Sequence, residues 1–456
     1  MNDTKFIYNS YNIREDEKKI YFEFDFEIDN VSKFLPKYEI LKKDFKWKHL
    51  KSNVLKNLVF NLGMIEAISY YKAICSRNFF IKCGYLNKEQ ERWFRKLFYL
   101  GLGEFRYINN IKTTEEDFIN FISLGKKIDL EEELINEKIQ ESVFIPVGGG
   151  KDSNVTLELL KNKLKNVKPF LINGKEVSYE CIKTAGFSKN EIIEVNRILD
   201  KKIIELNNKG YLNGHTPFSA MVAFLSYTVA FINGTQYIAL SNENSANESN
   251  VKGEKINHQY SKSLEFEDDF RFYCKKYLKA GNIEYFSFLR PISELQIAKL
   301  FSKFPKYYEK FKSCNVGSKN SKWNWCGKCP KCLFVYIILS PFIEKNKMIE
   351  IFGNDLLDRK EFENTFLELC GFSEIKPFEC VGTYSEVRYA VNKCIQNFLN
   401  NNEKIPYLLG YYLNLDKAKE YCKLYSEELK DNRLKEYNVN NNLPEKFNNI
   451  LKKVII

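Results

Sequence analysis

The chain has 456 residues, 44% of them hydrophobic, with 37 Phe and 28 Tyr, which is enough for two or three domains with substantial cores. Lys and Arg number 70 against 59 Asp and Glu, a net charge of +11, but no block of like charges concentrates it. That argues against a basic nucleic-acid arm, and the most apolar stretch, Ala220–Ile232, is too short to span a bilayer, so neither nucleic acid nor membrane is an expected partner.

The opening Met-Asn-Asp-Thr-Lys-Phe does not read as a signal peptide. Twelve cysteines without an export signal argue for reduced thiols and metal binding in a cytoplasmic setting. Residues 1–140 read as an α+β domain. Ile20–Ile28 alternates Phe22, Phe24, Phe26 and Ile28 with Glu23, Asp25 and Glu27, the pattern of a half-buried strand. Met64, Ile65, Ile68, Tyr71 and Cys75 recur at helical spacing, and the acidic run Leu130–Gln140 is expected to be a connecting helix.

Residues 141–342 alternate strand and helix. Strands are expected at 143–147, 168–172, 191–195 and 237–240, and helices at 154–165, 198–208 and 217–232, the last with Thr216-Pro217 as its start signal. This is the signature of a parallel sheet wound with helices. Residues 343–456 read mainly helical. The fold class expected is therefore α/β, a parallel-sheet core between an α+β N-terminal domain and a helical C-terminal region. Ligands of such sheets sit beyond the carboxyl ends of the strands, which singles out Gly148–Ser153, Asn173-Gly174 and Ser241–Asn250.

The first of these segments carries the clearest chemistry. An apolar strand runs into Gly148-Gly149-Gly150-Lys151-Asp152-Ser153, and the turn opens a helix. Glycines let backbone N–H groups approach an anion, and the helix start adds unpaired donors and a positive dipole end. Asp152 and Ser153 add a candidate magnesium contact and a hydroxyl. The order of residues is neither that of the Walker loop nor that of the dinucleotide fingerprint.

Farther on, Cys314 precedes Trp-Cys-Gly-Lys-Cys-Pro-Lys-Cys, which places Cys326, Cys329 and Cys332 at two-residue spacing. Four thiolates complete a tetrahedral zinc shell, leaving no position for substrate, so a structural role is expected. An iron–sulfur cluster is the rival occupant, although position 336 is Tyr where one known spacing has a fourth cysteine.

The glycine loop resembles the PP-loop of the ATP pyrophosphatase superfamily, Ser-Gly-Gly-x-Asp-Ser. Aligned on Asp152-Ser153, the family serine falls at Gly148. The loop and the cysteine cluster together resemble 7-cyano-7-deazaguanine synthases. The stretches Ser241–Asn247, Asn257–Ser263, Leu289-Arg290-Pro291 and Lys376–Thr383 make the chain similar to the MurL family, UDP-N-acetylmuramoyl-L-alanyl-L-glutamate epimerases, over about residues 143–385. This resemblance implies a PP-loop (adenine nucleotide alpha hydrolase-like) core. It also implies ATP and Mg2+ as cofactors and a UDP-linked muramyl dipeptide as the small-molecule substrate. The terminal L-glutamate would be adenylated and inverted, with AMP and pyrophosphate released.

On that reading the Gly148–Ser153 loop holds phosphates, and Asp152 lies near magnesium. Lys151 and Lys262 add positive charge, while Asn173, Asn242 and Glu243 face adenosine or substrate. His258, in a polar segment beside Tyr260 and Lys262, is a candidate general base against the plainer alternative of a loop histidine bonded to a carbonyl. Glu379 or Cys380 is a second candidate for proton transfer, against that of a buried cysteine. Arg290 either clamps an anionic group or packs the sheet edge in a salt bridge. His215 reads as structural and His49 as a surface residue. Two other functions stay open at this point: a PP-loop enzyme of nucleobase or tRNA modification, and a non-catalytic nucleotide-binding protein.

Overall fold

In the computed structural model, residues 4–43, 45–130, 140–254, 256–317, 324–419, 421 and 433–455 are described. The N-terminal strands β1 (Phe6–Glu15) and β2 (Lys19–Ile28) form an antiparallel pair, with Phe22, Phe24, Phe26 and Ile28 buried as their alternation requires. The opposite face carries charge that is locally neutralised, as where Asn9 donates to Asp25 and Glu27 and Arg14 pairs with Glu23 at 2.9 Å.

Among the described residues the sheet has eleven strands. Besides the first two they are β3 (Ser32–Phe34), β4 (Lys37–Leu41), β5 (Asn78–Ile81), β6 (Asn120–Ser123), β7 (Gln140–Pro146), β8 (Val167–Ile172), β9 (Ile193–Ile198), β10 (Thr235–Leu240) and β11 (Glu284–Ser287). Their order is β11-β10-β7-β8-β9-β4-β2-β1-β5-β6, with β3 beside β2. The five strands from β11 to β9 are parallel, as are β1, β5 and β6; β4 joins the two parts by antiparallel pairing with both β9 and β2. The protein is thus a mixed α/β structure on a large, mostly parallel sheet. That sheet runs unbroken past the region around residue 140.

The order reverses at β7. From there the chain moves outward through β8 and β9, then returns to place β10 and β11 on the other side. A crevice opens at such a switch point, beyond the carboxyl ends of the strands. The segments leaving β7, β10 and β11 therefore converge there: the glycine turn, Ser241–Glu243 and Phe288–Arg290.

The helices differ from the sequence expectations mainly at their ends. The helix expected at 154–165 is Lys151–Leu160, because Gly150 already serves as its N-cap. The one expected at 198–208 begins at Lys202, since the β9 strand continues to Ile198. Phe218–Asn233 is buried around most of its circumference and stops at Gly234, whose φ of 66° provides the left-handed cap. The connecting helix expected at Leu130–Gln140 falls almost wholly outside the described residues, and Gln140 opens β7. Helices including Pro330–Leu339 and Tyr384–Asn400 dominate the C-terminal part and share its core. No helix among the described residues is long and apolar enough to cross a membrane.

Candidate active site

The glycine turn is built around one strained position. Gly149 has φ 88°, and a Cβ there would lie 2.9 Å from Val177. Its carbonyl accepts from the Lys312 N–H at 2.9 Å. At Gly148, by contrast, a Cβ would meet nothing within 4 Å. No side chain caps the helix that follows. The turn therefore presents open space and a bare helix start, the features an anionic group requires.

Lys151 does not point into that space. Its ammonium is buried between the carboxylates of Asp152 and Glu294. Burial alone would lower its pKa, but the two carboxylates outweigh it and keep the lysine charged. Glu294, with burial as the leading cause and Asp152 and Glu243 adding to it, is raised above the usual carboxylate range. Sequence reasoning missed Glu294, which lies 143 residues from its partner.

Two further expectations change. Asn173 donates to the Arg197 carbonyl at 2.9 Å and accepts from its N–H at 2.6 Å, so its amide clips β8 to β9 instead of facing a ligand. Arg290 is fully buried: it donates to the carbonyls of Glu243 and Lys262 and lies 3.2 Å from the Glu267 carboxylate. A guanidinium engaged in this way cannot clamp a substrate anion. It fixes the two segments that carry Glu243 and Lys262. Asn242 donates to Ser287 at 3.1 Å, and Glu243 is buried within electrostatic reach of both Lys262 and Glu294.

His258, Lys262 and Cys380 come together, as anticipated only in part. Lys262 Nζ lies 3.0 Å from Cys380 Sγ, and His258 is near enough to the thiol to act on its ionisation. Lys331 donates to the Cys380 carbonyl. Burial would raise the Cys380 thiol, but Lys262, His258 and Lys331 together hold it down at about 6. Burial would lower His258, yet the nearby Cys380 thiol and the Glu104 carboxylate push it up to about 9. Lys262 is raised well above its ordinary value by the thiolate and Glu243, against the opposing effect of burial. The group is a thiolate–imidazolium pair with an ammonium beside the sulfur. Glu379 accepts from Asn315 at 3.1 Å within electrostatic reach of Lys331 and His258, and burial raises its carboxyl.

Behind His258 stand two residues the sequence did not single out for catalysis. His258 Nδ1 bonds the Glu104 carboxylate, and His215 Nδ1 lies 3.4 Å from the same oxygen. The two imidazole rings are 4.3 Å apart. Burial, the charge of His258 and two lysines push His215 down to about 3, which keeps it neutral. His215 is therefore part of the cluster. His49 is half-buried against Phe231, 5.3 Å between rings, instead of lying at the surface.

The four cysteines also converge. Cys314 and Cys329, Cys326 and Cys332, and Cys329 and Cys332 are each 3.6 Å apart at sulfur. Tetrahedral zinc with Zn–S bonds of about 2.3 Å requires sulfur edges of about 3.8 Å. All four sulfurs lie within 4.8 Å of one another, the spacing of a shell around a single ion. Gly327 takes φ 62° at the turn between ligands, and the Gly317 N–H donates to Cys314 Sγ at 3.1 Å. This four-cysteine cluster could hold a structural zinc.

Residues 1–288 match the MurL N-terminal domain, and residues 310–405 match the MurL C-terminal domain. The chain belongs to the MurL family. It is 33% identical over 336 residues to a UDP-N-acetyl-alpha-D-muramoyl-L-alanyl-L-glutamate epimerase of Xanthomonas oryzae pv. oryzae, covering 72% of each chain. A protein of the same name from a Micromonospora species is 33% identical over 334 residues, 71% of this chain and 72% of its own. One from Salinispora tropica is 38% identical over 245 residues, 53% and 52% of the two chains. In this MurL chain Glu104, His215, His258 and Lys262 fall in the stretch matching the N-terminal domain, and Cys380 and the cysteine cluster in the stretch matching the C-terminal domain. The thiolate cluster is shared between the two.

Proposed function

We propose that this MurL chain inverts the terminal L-glutamate of UDP-N-acetylmuramoyl-L-alanyl-L-glutamate to D-glutamate, in peptidoglycan precursor synthesis, by adenylating its carboxylate. Its relatives are named epimerases of that substrate, which sets aside the nucleobase-modifying and non-catalytic readings. One observation carries the chemistry. Asp152 of the glycine turn lies within electrostatic reach of Lys262, which in turn bonds the Cys380 thiolate. This supports a reading in which the glycine turn and the thiol serve one reaction.

The difficulty of the reaction is charge. Removing the α-proton beside a free carboxylate would place a second negative charge next to the first. Attack of the carboxylate on the α-phosphorus of ATP releases pyrophosphate and leaves an acyl adenylate, whose acyl group no longer carries the carboxylate charge and whose carbonyl can share the carbanion. The turn, read as a PP-loop, offers backbone N–H groups and a helix start to the departing pyrophosphate. Asp152 would be the residue to hold Mg2+, which would supply charge neutralisation at the phosphates.

The Cys380 thiolate accepts the α-proton, and Lys262 stabilises the oxygen on which negative charge gathers. His258, backed by Glu104, keeps the sulfur ionised and can return a proton. Water then releases the epimerised acid and AMP. Glu243 and Asn242 line the approach from β10, and Ser153 adds a hydroxyl at the turn. ATP, a UDP-linked precursor and a reactive thiol suit a reducing cytoplasm. In this reading residues 1–140 supply Glu104, residues 141–342 the nucleotide turn and zinc site, and residues 343–456 the thiol.

The test is to incubate purified protein with ATP, Mg2+ and the UDP-linked dipeptide in D2O. AMP, pyrophosphate and deuterium at the glutamate α-carbon are expected together. Cys380→Ala should keep AMP release and lose both deuterium uptake and D-glutamate. Cleavage of ATP to ADP, or AMP release by the wild type without α-exchange, would sink the proposal.

A further inference from the structure

The segment 213–217 has two sides. Its His215 turns toward Glu104 and His258, while Asn213, Thr216 and Pro217 line a separate cavity of about 240 Å³. Lys72 lies at the base of this cavity, 8% exposed. Its ammonium donates to the Gly214 carbonyl and to Thr216 Oγ1 at 3.0 Å, both neutral. No carboxylate among the described residues pairs with it, and the cation of Arg197 acts on it as well as burial.

Arg197 does not leave a spare anion nearby. Its guanidinium takes both oxygens of Glu66, at 2.8 and 3.0 Å, and Ser69 at 2.6 Å. Glu66 is fully buried and receives the Tyr38 hydroxyl as well. One positive charge is therefore left over beside the cavity. A buried charge without a counterion is costly, and burial has already pushed Lys72 down to about 8. The hydroxyls of Ser69 and Thr216 each accept a bond from a cation, which leaves their own hydrogens free to donate. Asn207 also lines the cavity, and its Oδ1 is buried without a donor. The outer rim is apolar and exposed, with Ile204 at 57% and Phe218 at 50%.

We infer that this cavity binds a small ligand that carries a carboxylate or phosphate group together with a hydrogen-bond donor. The anionic group meets Lys72, Ser69 and Thr216; the donor meets Asn207 Oδ1; the apolar rim covers the remainder. The anion comes either from the substrate itself, in which case the inference rests on the function proposed above, or from a separate small molecule. Either source would press on the segment that carries His215.

Two probes separate the sources: inorganic phosphate and N-acetyl-L-alanyl-L-glutamate, each titrated calorimetrically into full-length protein, both alone and in the presence of a non-cleavable ATP analogue. No turnover is needed, so failure of the epimerase reading does not affect this readout. At least one probe should bind the wild type, weaken about tenfold or more in Lys72→Met, and recover in Lys72→Arg. Weakened dipeptide binding with a raised KM for the UDP-linked substrate assigns the anion to the substrate; weakened phosphate binding alone assigns it to a separate ligand. Lys72→Met, relieved of an unpaired buried charge, should melt no lower than wild type in anion-free buffer. Binding of both probes unchanged by Lys72→Met, no binding of either to the wild type, or a clear fall in melting temperature would overturn the inference.

Discussion

At the scale of single residues, the proposed chemistry rests on how three cations act on one sulfur. With Cys380 held at about 6 and His258 raised to about 9, their ion pair exists between those values. Below the lower value the thiol gains a proton, and above the upper one the imidazole loses its charge. Epimerisation should therefore follow a bell with limbs near those two pH values. Lys262→Met removes a charge that favours the thiolate, so the acid limb should move up by about one to two pH units. The profile of kcat/KM against pH measures this, and an unmoved limb would assign it to another group. The glycine turn makes a paired prediction. Gly149→Ala sets a side chain against Val177 at positive φ and should cost about 1–3 kcal/mol in urea unfolding. Gly148→Ser, which restores the serine of the PP-loop pattern, points into open space and should leave stability unchanged.

At the scale of elements, what the sequence disclosed was what lies close along the chain. The glycine turn follows from six consecutive residues, and the cysteine cluster from two-residue spacers, so both could be read directly. The alternation in β2 gave the buried face correctly. Arg290 shows the limit: a sequence shows a charge next to a proline but not that Glu243, Lys262 and Glu267 surround it. Glu104 stayed hidden because it meets His258 across 154 residues. The cysteine element also bears on the thiol. Lys331 sits between ligands Cys329 and Cys332, at the start of the helix Pro330–Leu339, and holds the Cys380 carbonyl. Purified protein should contain about one zinc per chain by elemental analysis, bound tetrahedrally by sulfur. Stripping it, or making Cys329→Ser, should lower the melting temperature and reduce epimerisation in parallel; loss of metal with activity intact would show that the two are uncoupled.

At the scale of the whole molecule, the antiparallel joint at β4 makes one sheet of two parallel parts. Tyr38 on β4, Glu66 on the helix Asn53–Glu66 and Arg197 on β9 form a buried network across that joint. Arg197→Met leaves the Glu66 carboxylate buried without its cation and should cost about 3–5 kcal/mol. Because the joint is continuous, the loss should appear as a lower midpoint of one transition in urea, followed by fluorescence. Two separated transitions would show that the parts unfold independently.

The sharing of the thiolate cluster between distant stretches has a consequence during synthesis. Glu104, His258 and Lys262 leave the ribosome long before Cys380 does, and nothing acidifies that sulfur until they have docked around it. A half-made or misfolded chain carries only an ordinary, sluggish thiol, ionised to a few per cent at neutral pH. In the proposed mechanism the proton-accepting thiol is therefore armed only by completion of the fold, which spares the nascent protein from stray alkylation and oxidation at that sulfur.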